Sequence, residues 1–165
     1  MEERFDIVNE HDEVIGSAPR SEVHQRQLNH RAVHIWVYRP DGKILIQLRT
    51  PTKDRHPNTW DSSAAGHVDS GEDYLTAAVR ETKEELGIDV HSQLEERLYV
   101  NACEQTGQEF VKLYRTIHPG PFEPCPKEIA DLQWIHPDDL EKWMSSEPEK
   151  FAPALPYLWH YQKDS

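Results

Sequence analysis

The stretch 73–86 constrains the chain most. It is preceded by a turn at Gly71 and stopped by Gly87, and Leu75, Ala78, Val79, Thr82 and Leu86 recur within it at helical spacing. That pattern predicts a helix with one buried stripe, with Ser70 expected to cap its first turn and Asp73 to reciprocate three places on. At about 100° per residue, Glu81, Glu84 and Glu85 fall together on another flank. Three carboxylates at that spacing repel one another by a few tenths of a kcal/mol per neighbouring pair, so they call for a compensating cation. Hard oxygen donors suit Mg²⁺ or Mn²⁺. The competing interpretation is a solvated helix face on which Arg80 and Lys83 serve as ordinary surface partners.

What surrounds this helix predicts an α/β fold. Segments 5–8 and 13–15 flank the turn-rich Asn9, Glu10, His11 and Asp12 and suggest a hairpin, followed by a short helix at 21–27. Segments 32–38 and 44–48 are rich in β-branched and aromatic residues around Pro40, Asp41 and Gly42, and so form the clearest expected hairpin, with two central strands. A polar, proline-punctuated loop at 50–59 leads to a strand at 60–65, then to Gly66 and the helix. Segments 97–100, 110–117 and 132–135 read as further strands, and Pro137 opens a helix before a last one at 155–162. The expectation is one domain over 1–165, a mixed sheet covered by a few helices, with no internal repeat.

Composition narrows the partners. A formal net charge of -12 disfavours a nucleic-acid polymer or an anionic membrane surface. A small anionic ligand stays compatible, because a cation held by clustered carboxylates reverses the local charge. No apolar run approaches the ~20 residues of a membrane-spanning helix, and the acidic segment 1–10 does not resemble a signal peptide. With two cysteines, Cys103 and Cys125, read as plain core residues, the expected location is the cytoplasm. Nothing in the sequence sets an oligomeric state.

The ordered set Gly66, Glu72, Arg80, Glu81, Glu84, Glu85, Gly87, Ile88 matches, at every charged and glycine position, the Nudix box, so that 66–88 is similar to the signature of the Nudix hydrolase superfamily. Thr82 departs from the usual aliphatic residue there, a change expected to affect packing more than chemistry. The resemblance implies a Nudix-type α/β/α sandwich and metal-dependent hydrolysis of a nucleoside diphosphate linked to another moiety, or of a related small phosphorylated molecule. It further implies Glu81 and Glu85 as direct metal ligands, Glu84 as ligand or base, and the Gly66 carbonyl as a further oxygen. Arg80 would orient the carboxylates, and Glu72 would support the loop and helix. The metals would neutralise the diphosphate and acidify the attacking water, whose proton a carboxylate takes.

Beyond the box, 5–16, 30–49, Lys53, Pro57 and 60–67 resemble type I isopentenyl diphosphate isomerase and hydrolases organised like it. That resemblance implies diphosphate contacts at Arg49 and Lys53 and matches His30 and His67 to metal-site histidines. It matches Glu109 to one of two late acids, a metal ligand or base, while the other acid's position is Gly107, and His24 lies near a third histidine's position. Ala65 stands where the isomerase has a cysteine, and alanine moves no proton. Hydrolase is the first reading, isomerase the second, and a catalytically silent binding module the third. The intact Glu81, Glu84 and Glu85 weigh against the silent module.

Overall fold

Nine consecutive residues, His30–Tyr38, form a strand whose apolar side chains point to both faces, and both faces are buried. A strand buried on both faces belongs at the centre of a sheet. In the computed structural model, which describes residues 2–163, this strand (β3) runs parallel to β8 (Glu109–Ile117) in a register that begins at His30↔Glu109. Met1, the first residue of the acidic segment 1–10 that does not resemble a signal peptide, and residues 164–165 lie outside the described residues. β7 (Glu95–Val100) continues the sheet beyond β8, and β4 (Ile44–Arg49) pairs with β9 (Ile129–Ile135). Helix α2 (Tyr74–Leu86) covers one face through Ala77, Ala78 and Leu86 against Val33, Ile35 and Val37. Helices α3 (Pro137–Ser146) and α4 (Ala154–Lys163) cover the other, placing Leu140, Leu155 and Trp159 against Trp36, Ile46 and Leu113. The result is an α/β/α sandwich around a mixed sheet.

The expected 32–38/44–48 hairpin has its turn, with the Gly42 N–H donating to the Arg39 carbonyl, but its strands separate at once and pair only at Tyr38↔Ile44. A short two-strand segment enters the wedge between them: β5 (Trp60–Asp61) pairs with β4, and β6 (Ala64–His67) pairs with β3. Separation would orphan backbone groups in the interior, which is costly. Ser63 prevents this, accepting from the Val37 N–H (2.8 Å) while its hydroxyl donates to the Leu45 carbonyl. Ser62 accepts from the Trp36 indole N–H (2.8 Å) and bonds the His34 ring. The wedge opens the cavity that holds the candidate site.

The first hairpin, β1 (Arg4–Val8) with β2 (Val14–Pro19), lies against the sheet's end and packs Phe5 with Ala18 and Val23 of helix α1 (Arg20–Gln25). That helix is shorter than expected because Gln27 turns to a left-handed backbone, φ +53°. Among the described residues, no helix is long and apolar enough to cross a membrane.

Candidate active site

Helix α2 is rolled relative to the expected stripe. Asp73, not Ser70, is its N-cap and accepts from the Thr76 N–H at 2.7 Å, while Ser70 donates to Asp6. Leu75 is 47% exposed, and the face turned to the sheet reads Tyr74, Ala77, Ala78, Glu81, Thr82, Glu85, Leu86. That sequence keeps the three- and four-residue spacing of a core stripe but carries two glutamates within it. The expectation of three carboxylates together on a flank apart from the buried stripe is therefore corrected: Glu85 is buried, the Glu81 side chain is 12% exposed, and Glu84 is 59% exposed. Thr82 occupies the aliphatic position without leaving a polar group unpaired, since its hydroxyl donates to the Ala78 carbonyl.

The Glu85 carboxyl accepts from the Gln47 amide (2.7 Å) and from the Ala65 N–H (3.4 Å). Burial, and then the neighbouring Glu81, pushes it well above the usual carboxylate range, and burial likewise raises Glu81. The Glu81 carboxylate lies so close over Gly66 that any β-carbon there would collide with it. Arg80 ties this corner together, donating to both Glu72 oxygens (2.8 and 2.9 Å), to Glu81 (2.8 Å), to Glu84 (3.3 Å) and to the His67 carbonyl (3.0 Å). Glu72 also accepts from the Asp69 N–H, which closes the loop that precedes the helix.

Side chains alternate along β6, so Gly66 faces α2 while His67 faces the opposite side. There His67 meets His24 from α1, His30 from the start of β3 and Glu109 from the start of β8, with one ligating atom of each within 4.8 Å of the others. The β3–β8 register sets Glu109 directly opposite His30. Nε2 of His67 and Nε2 of His30 both approach Glu109 Oε2, at 2.8 and 3.1 Å. His30 Nδ1 lies 2.8 Å from the Leu28 carbonyl, which only accepts, so Nδ1 carries the proton. The other ring nitrogen, Nε2, faces the Glu109 carboxylate, and that contact is completed by a proton or a metal cation between them. Although burial opposes ionisation of Glu109, His67 and His30 outweigh it and hold the carboxyl well below its usual range. Burial, followed by the charges of His67 and Arg55, brings His24 down to about 4, which leaves its ring neutral. Phe5 stacks on His67, with centroids 4.4 Å apart, and forms the back of the cluster.

The carboxylate group, together with His67 and Glu109 of the other, lines one cavity of 620 Å³, shared with Ala65, Arg49 and Lys53, while His24 lines a neighbouring cavity. Of the residues named from the sequence, Gly66, His67, Arg80, Glu81, Glu84, Glu85 and Glu109 thus come together, and Arg49 and Lys53 form the facing wall. These two cations are already engaged. Arg49 lies 3.7 Å from Asp61 and donates to the Arg55 and His56 carbonyls, and Lys53 is ion-paired with Glu128. Gln47, which fixes Glu85, was not among the sequence candidates; its signal was a lone amide within the apolar run 44–48.

The NUDIX domain family model matches residues 28–155. The chain is 39% identical over 139 residues to an uncharacterized Nudix hydrolase of Yersinia pestis, covering 84% of this chain and 75% of that protein. It is 32% identical over 166 residues to Nudix hydrolase 3 of Arabidopsis thaliana, covering 92% of this chain but only 22% of the plant protein's length. Among solved structures, DR0079 of Deinococcus radiodurans superposes with a TM-score of 0.84, at 27% identity over 98% of both chains. A Caenorhabditis elegans Ap4A hydrolase shares the fold at a TM-score of 0.57 and 22% identity, covering 81% of this chain and 94% of that one. The chain belongs to the Nudix hydrolase family.

Proposed function

We propose that the protein hydrolyses a diphosphate linkage in a nucleoside diphosphate derivative or a related small phosphorylated molecule, with Mg²⁺ or Mn²⁺. The observation that carries this is the convergence in one cavity of the Glu81, Glu84 and Glu85 carboxylates with His67 and Glu109, through which a four-residue imidazole–carboxylate cluster reaches the cavity from the other side of β6. Both sets fit cations. Two buried carboxyl groups held side by side with raised proton affinity, and a His30 nitrogen facing a carboxylate, are each relieved by positive charge. His24 Nε2 is buried and has no hydrogen-bond partner among the described residues, as a ligand atom awaiting its ion would be.

In this reading Glu81 and Glu85, with the Gly66 carbonyl, would hold a cation on the α2 side, and His24, His30, His67 and Glu109 would hold one on the other. Bound there, divalent ions supply charge neutralisation of the diphosphate and a more acidic attacking water. Arg80 locks Glu81 and Glu72 in place, so the carboxylates keep their geometry when charge changes around them. Glu84, which lines the cavity and among the described residues is bonded through its side chain only to Arg80, would take the water's proton. Glu109, held ionised by two histidines, serves as a ligand instead of a base. Arg49 and Lys53 present their charge from the facing wall. The deciding assay is release of phosphate-containing products from nucleotide sugars, dinucleotides and nucleoside di- and triphosphates with Mg²⁺ or Mn²⁺. No release from any of them overturns the reading.

The assembled histidine cluster favours a second reading, an isopentenyl diphosphate isomerase-like reaction, because it gathers the histidines that the resemblance matched to that enzyme's metal site. Against it, Ala65 lines the cavity beside His67 and offers no proton on the second face of a prenyl group. Incubation with isopentenyl diphosphate in D₂O separates the two, with no deuterium expected in dimethylallyl diphosphate. Labelled product at enzymatic rates reverses the order of the readings.

A further inference from the structure

Five basic side chains line the cavity: Arg20, Arg49, Lys53, Arg55 and Arg80. Four are committed to carboxylates: Arg20 to Asp54 and Glu3, Arg49 to Asp61, Lys53 to Glu128, and Arg80 to Glu72, Glu81 and Glu84. The Arg55 guanidinium makes no hydrogen bond or ion pair with any other described residue. It is half-buried and stands over Gly107, at the partition between the main cavity and a second cavity of 430 Å³ that shares His24's neighbourhood. A β-carbon on Gly107 would lie 2.7 Å from an Arg55 terminal nitrogen, and Gly107 itself has φ +69°. The bare glycine leaves room for the guanidinium where it stands. Gly107 is also the position at which the isomerase resemblance would put an acid, so a corner that would be anionic is cationic here.

We infer that Arg55 is the substrate-recognition cation of this site, an anchor for a terminal phosphate of the substrate rather than for the bridging diphosphate or a sugar. An unpaired guanidinium beside ligand-ready imidazoles has the fork geometry and charge for a dianionic phosphate oxygen pair. The cavity wall adds a second constraint: no Phe, Tyr or Trp ring is among its lining residues, so a nucleobase would have only imidazole and guanidinium faces to stack on. Both features favour a compact molecule with a free phosphate end over one whose diphosphate is capped on both sides. The inference deepens the diphosphate-hydrolase reading and rests on it for the reaction, but the anchoring is measurable without turnover.

The test compares the parent chain with Arg55→Ala and Arg55→Lys in the presence of Mg²⁺. Binding of the non-hydrolysable probe methylenediphosphonate is measured by calorimetry, and kcat and KM are measured for a nucleoside diphosphate and for a nucleotide sugar. Arg55→Ala is expected to weaken methylenediphosphonate by about 10- to 100-fold, the range for losing a charge-assisted contact. It should raise KM for the nucleoside diphosphate similarly with kcat within about threefold, and leave the doubly capped nucleotide sugar unchanged. Arg55→Lys should recover part of the binding. Equal binding by parent and Arg55→Ala overturns the inference, as does an equal loss on both substrates. Failure of the parent to bind the probe overturns it too. Loss of probe binding in Arg55→Ala, with no hydrolysis of any substrate by the parent, keeps the anchor and removes the hydrolase reading.

Discussion

Glu85 shows how function and stability oppose each other at a single residue. Its carboxyl is raised by burial and by Glu81, so in metal-free protein it contributes stability that is present below its unfolded value near 4.5 and lost as pH climbs through the raised folded value. Glu85→Gln keeps an oxygen for Gln47 and Ala65 and offers an N–H to Glu81. The metal-free variant is therefore expected to melt roughly 2–5 °C above the parent at pH 7–8, with the gap closing near pH 4. Its kcat should fall by about two orders of magnitude or more. Melting curves across pH and a rate assay check both, and a variant less stable than the parent at pH 8 would contradict the buried-pair account. Gly66→Ala attacks the same pair from the strand. The new methyl displaces the Glu81 carboxylate, so metal-dependent activity should drop at least tenfold while far-UV circular dichroism stays as in the parent.

At the scale of elements, the split between β3 and β4 makes the cavity, and Ser63 makes the split tolerable. Ser63→Ala leaves the Val37 N–H and the Leu45 carbonyl buried without partners, at a cost of about 1–3 kcal/mol in urea unfolding. A loss below about 0.5 kcal/mol would show that water replaces the hydroxyl. The strands and helices were largely legible from local pattern, and their existence and order agree with the structure. Pairing was not. Segments 32–38 and 44–48 have the composition and turn of a hairpin, yet β6 takes the β3 edge and β5 the β4 edge that the hairpin would have used, because pairing is decided by whichever partners bury the most surface. The roll of α2 was hidden for a related reason. Leu75 and Tyr74 both fit an apolar stripe, and the choice fell to Tyr74, whose hydroxyl donates to Asp12 at the β1–β2 turn and whose ring packs on the sheet core.

At the scale of the whole molecule, a chain of net charge -12 concentrates carboxylates in one cavity, and under the proposed function divalent cations complete the compensation that Arg80 begins. Chelator-treated protein is therefore expected to lose activity and regain it with Mg²⁺ or Mn²⁺. The two donor sets should bind separately: Glu81→Gln should remove one class of Mn²⁺ site and His67→Ala the other, as counted by electron paramagnetic resonance. If both variants bind as many Mn²⁺ ions as the parent, the two-site arrangement fails.

What the sequence by itself determined is the pattern carried by short-range order: the Gly66-to-Ile88 spacing and the helix that follows the glycine loop. These are legible because a helix turns by a constant angle and a strand alternates, so spacing alone says which residues can act together. Only the tertiary structure decided which carboxylates are buried and which cations are free. It rolled Glu81 and Glu85 into the core stripe, brought His24 and His30 to His67 and Glu109 through the β3–β8 register, and paired Arg49 and Lys53 internally while leaving Arg55 unpaired over Gly107. Burial and ion pairing depend on what the rest of the chain places within a few ångströms. The neighbours in question lie tens of residues away, where no local spacing rule reaches.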